Sequence, residues 1–213
     1  MSDVKKLIEF MELVGRLKHV KRTGWILCDV SDPETISGHM YRMAMLSFLV
    51  DSAENLDKVK IMQMTLIHDL AECIVGDITP HCGISPEEKH KSEDDAMQTI
   101  CELLGDKGPE MLNMFRGFKI FERIYIYSLI KIVLKTEYEE QKTPEAQYVK
   151  DLDRLDLIMQ AFEYEKRDGT PGKLQEFFTA TNGKIRHPFV NQLAEEVNEQ
   201  RQALANIPCN DQL

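Results

Sequence analysis

The chain has 213 residues, of which 43% are hydrophobic and 29% charged, enough length and apolar content for one domain with a sizeable core. Its formal net charge is −10 and its pI about 5.1. That balance argues against non-specific nucleic-acid binding, which needs a basic face to neutralise phosphate. It leaves room for a small anionic substrate, because a metal and one arginine invert the potential locally.

Leu7, Phe10, Met11, Val14 and Leu17 recur at helical spacing and predict a first amphipathic helix that contains Gly15. Lys18 to Ser31 reads as irregular, with Gly24 and Asp32-Pro33 as breakers. Ser37 is the expected cap of a second helix, from about His39 to Val50. A third is predicted from about Asp57 to Val75, closed by Gly76, whose missing Cβ suits a left-handed terminus. After a loop from Asp77 to Ser85, Ser85-Pro86-Glu87-Glu88 is a capped start with proline first and acids in the first turn. That helix runs through Met97, Ile100, Leu103 and Leu104 to Gly105. Pro144 opens a long helix carrying Ala146, Val149, Leu152, Leu155, Met159 and Phe162, which Asp168-Gly169-Thr170-Pro171-Gly172 ends. Leu174, Phe177 and Phe178 mark a short helix, and Phe189 to Leu204 a last one behind Pro188. There is no repeat, low-complexity run or alternating strand, so the expected fold is all-α, a single helical bundle over residues 1–213.

The five cysteines, Cys28, Cys73, Cys82, Cys101 and Cys209, are odd in number and form no CxxC. They fit reduced thiols better than a disulfide framework or a zinc knuckle. No stretch reaches the roughly 20 apolar residues of a membrane span, and Met1 to Lys6 lacks an apolar signal core. The expected setting is the cytoplasm, with the nucleus as an alternative, and no membrane partner.

The run Thr65 to Glu72 sets an imidazole and a carboxylate, His68-Asp69, in an otherwise apolar segment. A buried carboxylate is costly without a compensating charge. A divalent metal supplies that charge and takes an imidazole as well. On a continuous helix His68 and Glu72 are four apart and Asp69 and Glu72 three apart, so the three share a face. The bland alternative is a histidine at the edge of the core with solvated acids outside it. Asp77 adds a carboxylate just past the helix end. His39 alone is an ordinary capping or surface residue. If the short connection from Asp51 to Asp57 makes the second and third helices antiparallel, His39 comes near His68. Further on, Asp151, Asp153 and Asp156 lie on one helix. Asp153 and Asp156 share a face with Val149 and Gln160, and either completes a site or belongs to a charged outer face.

These residues resemble the H…HD…D signature of the HD-domain metal phosphohydrolases. The likeness extends to Arg22-Thr23-Gly24-Trp25, to Glu34 through Ala44, to His68 through Ile78, and to Gly183-Lys184-Ile185-Arg186-His187-Pro188. It resembles the HD domain-containing protein 2 family, related to bacterial 5′-deoxynucleotidases, from about Leu7 to Val197. The resemblance implies a helical HD fold that hydrolyses 2′-deoxynucleoside 5′-monophosphates to deoxynucleoside and phosphate. It implies a divalent ion such as manganese, cobalt or copper, and a homodimer. His39, His68, Asp69 and Asp153 are then ligands of a first ion, with the family pattern selecting Asp153 over Asp156. Glu72, Asp77 and the carbonyl of Ile78 stand where a second, magnesium-like ion binds. Arg22 matches a phosphate-orienting arginine and Trp25 a tryptophan beside the nucleoside, with Asp77 also at the substrate. Glu72 or Asp77 is the proton carrier. Alternatives are an HD phosphohydrolase acting on another nucleotide, and a metal-containing binding domain without turnover.

One stretch departs from the family pattern. Phe115 to Lys135 is strongly apolar and carries five basic residues against one acid. The favoured reading is an extra or extended core helix, ahead of a dimer-surface extension or a foreign insertion.

Overall fold

The computed structural model describes residues 3–51, 53–119 and 143–206. It divides into two compact units, Met1–Ala146 and Gln147–Leu213. Among the described residues the regular structure is helical, apart from a single antiparallel bridge between Lys21 and Thr35.

In the first unit, α1 (Val4–Arg16) turns Phe10, Leu13 and Val14 to the core and starts at Asp3, whose carboxylate accepts the Lys5 N–H. The segment read as irregular contains a short helix, α2 (Thr23–Leu27). No local side chain caps it. Asp77 does so from 54 residues away, its Oδ2 accepting the Thr23 N–H at 2.7 Å. A cap supplied by tertiary contact leaves no local signature. The second predicted helix is α3 (Ile36–Leu46), continued by a 3₁₀ turn at Ser47–Leu49. Its cap is Thr35, not Ser37: Thr35 Oγ1 accepts the Gly38 N–H at 3.2 Å.

The predicted third helix is broken. Asp57 caps α4 (Lys58–Ile67), and a separate turn, α5 (Glu72–Val75), follows. Between them Leu70, Glu72, Cys73 and Ile74 bond back three residues, to Ile67, Asp69, Leu70 and Ala71. This tighter winding brings Leu70, Ala71 and Cys73 into the core beside Ile67. Gly76, at φ +76°, lets the chain leave α5 towards Asp77. α6 (Pro86–Leu103) begins with the expected capping box, Ser85 and Glu88 exchanging bonds. α7 (Gly108–Lys119) follows. Of the atypical stretch, Phe115 is fully buried in the core and Arg116 makes a two-pronged bond to Asp94 at 2.8 Å. Residues 120–135 lie outside the described residues. Leu17, Ile36, Met40, Ile67, Leu70, Met97, Ile100 and Phe115 form the core of this unit.

The second unit is built from α8 (Pro144–Asp168) from Gln147 onward, α9 (Gln175–Thr181) and α10 (Pro188–Ala205), all near their predicted bounds. Asp151 Oδ2 accepts the Arg186 and His187 N–H groups at 2.8 Å and so holds the entry to α10. Glu165, fully buried, accepts two bonds from Arg201 and one from the Leu174 N–H. No helix among the described residues is long and apolar enough to cross a membrane.

Candidate metal centre

The HD pair is pinned on both sides. Ile67 before it and Leu70-Ala71 after it are buried in the core, which fixes where His68 and Asp69 project. His68 Nδ1 lies 3.0 Å from the Thr65 carbonyl. That contact keeps a proton on Nδ1 in either charge state, and the neutral ring offers its Nε2 lone pair to an ion. α3 packs against α4, so His39, in the first turn of α3, meets His68 just past the end of α4, as in an antiparallel pair. The two rings sit edge to face, their centroids 5.3 Å apart.

The Asp69 carboxylate completes the group. Its Oδ2 is 3.3 Å from His68 Nε2 and 3.7 Å from His39 Nε2. One ligand atom from each of His39, His68 and Asp69 falls within 4.8 Å of the others. Two imidazoles and a carboxylate form a mixed nitrogen and oxygen set that suits a borderline divalent ion. Both imidazoles are buried, where a carboxylate needs a positive partner. The residues present therefore fit a metal ion.

Arg22 reaches the same oxygen, Nη1 lying 3.2 Å from Asp69 Oδ2. It is placed by the pairing of Val20–Arg22 with Glu34–Ile36: the Arg22 N–H donates to the Glu34 carbonyl, and the Ile36 N–H to the Val20 carbonyl. The same pairing sets the start of α3 and hence His39. Burial alone would push the Asp69 carboxyl up, but the charge and hydrogen bond of His68, then Arg22 and His39, outweigh it and hold it below the usual range.

Glu72 stands outside the ligand group, and the break in the helix is the reason. On a continuous α-helix it would sit one turn beyond His68. In the tighter winding the Glu72 N–H bonds back three residues to the Asp69 carbonyl, and Glu72 is not among the side chains whose ligand atoms converge. It is buried, and its Oε2 has no hydrogen-bond partner. Burial, then repulsion by Asp69 and Asp77, pushes its carboxyl well above the ordinary value, against the opposing charges of Arg22 and Lys89. Asp77 is occupied at the start of α2, holding Thr23 through its carboxylate and accepting the Thr23 hydroxyl at its carbonyl (2.8 Å). The Ile78 carbonyl accepts the Lys89 ammonium at 2.7 Å. Lys89 is a site residue that sequence reasoning missed, since in Pro86-Glu87-Glu88-Lys89 it looks like part of a solvated first turn.

Trp25 is buried, and its Nε1 donates to Glu34 Oε1 at 2.9 Å. It anchors the Arg22–Glu34 segment and offers no exposed stacking face. Asp153 lies on α8 in the second unit, where Lys150 donates to its Oδ2 at 2.9 Å.

A family model for the HD domain matches residues 14–193. The 5′-deoxynucleotidase HDDC2 of Danio rerio is 46% identical over 195 residues, covering 92% of this chain and 88% of that protein. The Xenopus laevis protein of the same name is 43% identical over 200 residues, covering 94% and 90%. Among solved structures, the PH0347 protein of Pyrococcus horikoshii OT3 superposes with a TM-score of 0.64 at 27% identity, over 92% of this chain and 99% of that one.

Proposed function

The chain belongs to the HD-domain family, and on that premise we propose that it is a metal-dependent 5′-deoxynucleotidase, releasing phosphate from 2′-deoxynucleoside 5′-monophosphates. The carrying observation is the convergence of His39, His68 and Asp69 on one point beside Arg22. The substrate class comes from the named activity of relatives that match over nearly their whole length. In this reading Asp153 is the ion's fourth protein ligand, on the motif alone. Manganese or cobalt suits the donor set, with copper as a further candidate. The homodimer belongs to the same reading and rests on the resemblance.

Bound there, a divalent ion supplies Lewis acidity towards a phosphate oxygen. The protein's own groups do the rest. Arg22 turns donors from Asp69 to the non-bridging oxygens, a geometry that a guanidinium fits two at a time. His68 keeps its orientation through the Thr65 carbonyl. Glu72 Oε2 is the group that holds and moves a proton: it is buried, it lacks a partner, and its carboxyl retains a proton more readily than an ordinary glutamate. Asp77, committed to Thr23, is the weaker candidate.

The test is phosphate release from a panel of deoxynucleoside and ribonucleoside mono- and triphosphates, with manganese or cobalt and then with a chelator. Release confined to deoxynucleoside monophosphates and abolished by chelation is the expected result. Release from none of them refutes the enzyme and leaves a metal-containing binding domain.

A further inference from the structure

The acidic end of the site already contains a cation. Lys89, from the first turn of α6, sends its ammonium to the Ile78 carbonyl at 2.7 Å and lies 3.5 Å from Glu93 Oε1. Ile78 is the residue whose carbonyl the family resemblance gives to a second ion, together with Glu72 and Asp77. Lys89 also lies within electrostatic reach of Glu72, Asp69 and Asp77. Glu72 supplies an independent pointer to a cation: it is buried, with a carboxylate oxygen that no hydrogen bond satisfies.

We propose that Lys89 is a built-in counter-cation that competes with a second divalent ion: its ammonium occupies the Ile78 carbonyl within the field of Glu72 and Asp77, and an ion enters there only as the ammonium leaves. The proposal rests on the metal-centre reading above and on the second ion that the family resemblance implies. The physical reason is geometric and electrostatic. A hard divalent ion binds carbonyl and carboxylate oxygens at about 2.0–2.6 Å, so an ammonium hydrogen-bonded to the same carbonyl leaves two positive centres a few ångströms apart. Burial alone would depress the lysine, but Glu93, Glu72, Asp69 and Asp77 outweigh it and keep the ammonium charged. The side chain is half-buried on a long flexible stem and remains tied to Glu93. Withdrawal towards solvent therefore leaves it a partner. Lys89 thus sets the concentration at which a second ion joins the first, and so divides a tightly held ion from a loosely held one.

The experiment counts bound ions and is independent of turnover. The full chain is stripped with a chelator and titrated with manganese, free ion being read from its electron paramagnetic resonance signal. The parent, Lys89→Met and Lys89→Arg are compared, with folding checked by circular dichroism and Lys89→Gln replacing the methionine variant if that one does not fold. Expected is one tight ion in all chains, and a second class that Lys89→Met strengthens tenfold or more while Lys89→Arg leaves it weak. A second class that is unchanged or weakened in Lys89→Met overturns the role of Lys89 and leaves the first ion intact. A parent with no tight ion, unaffected by His68→Ala, overturns the metal centre itself and the competition with it.

Discussion

Glu72 and Glu165 are both buried carboxylates, and the fold treats them in opposite ways. Glu165 receives Arg201 Nε at 2.7 Å on one oxygen, and Arg201 Nη2 at 2.9 Å with the Leu174 N–H at 2.7 Å on the other. Burial pushes its carboxyl up, yet these bonds and the guanidinium charge win, and it lies below the ordinary glutamate value. Glu72 has one oxygen without a partner and two carboxylates near it, and it is driven the other way. The second unit shows that this chain balances a buried acid when only structure is at stake. The deficit at Glu72, beside a cluster of candidate ligands with the same need, is one that a proton or a cation would meet.

The largest expected effects separate the two acids by what is lost. Asp69→Ala and His68→Ala each delete a donor to the ion, whose contribution to the transition state is several kcal/mol, so metal-dependent phosphate release should fall about a thousand-fold or more. Circular dichroism and unfolding temperature should hardly move. Glu165→Ala should do the reverse. It strands Arg201 against a buried pocket and costs about 3–5 kcal/mol, on the order of 10 °C in unfolding temperature, with normal turnover per folded molecule. If Glu165→Ala abolished turnover in folded protein, or Asp69→Ala unfolded the chain, the contrast between a binding acid and a structural acid would collapse.

Arg22→Ala is the next test in size. Arg22 touches Asp69 but is not among the ligands, so the variant should lose one charge-assisted contact to phosphate, about 1.5–3 kcal/mol. Turnover should drop by roughly ten- to a hundred-fold, while bound metal, counted by atomic emission, stays at the parent level. Loss of metal would move Arg22 from substrate orientation to support of the ion.

The helical frame was legible because periodic apolar residues and strong starts coincide, as at Ser85-Pro86 and Pro144. The pairing of His39 with His68 was legible too: the connection from Asp51 to Asp57 is short, and only an antiparallel pair joins those ends. The break after Ile67 was not. Nothing from Thr65 to Val75 is a helix breaker, and the chain tightens there because Leu70, Ala71 and Cys73 pack into the core, a tertiary effect that overrides propensity. The consequence is chemical, since Glu72 is then not among the side chains whose ligand atoms meet at His39, His68 and Asp69. Asp77 as the cap of α2 and Lys89 as a cation at Ile78 were hidden for the same reason: each acts across a separation that periodicity does not read.

The smallest effect is also the one that opposes the two acids most directly, through pH. Glu165 has its folded pKa depressed, so the stability it contributes is present above the ordinary glutamate range and is lost as pH falls through its folded value. Glu72 has its folded pKa raised. The folded chain then binds the proton more tightly than the unfolded one, stability is greatest below the ordinary glutamate range, and it is lost as pH rises through the elevated value. One such group changes stability by at most about 1.4 kcal/mol per pH unit within its window. Measured as unfolding temperature against pH on chelator-treated protein, Glu72→Gln should flatten the decline on the alkaline side, because a neutral amide has no proton to lose. Glu165→Gln should flatten the decline on the acid side. Adding manganese to the parent should also reduce the alkaline decline, since a nearby divalent charge favours the carboxylate that burial disfavours. An alkaline decline that is the same in the parent and in Glu72→Gln would mean that Glu72 is already ionised in the folded chain, and its assignment as the proton carrier would fail with it.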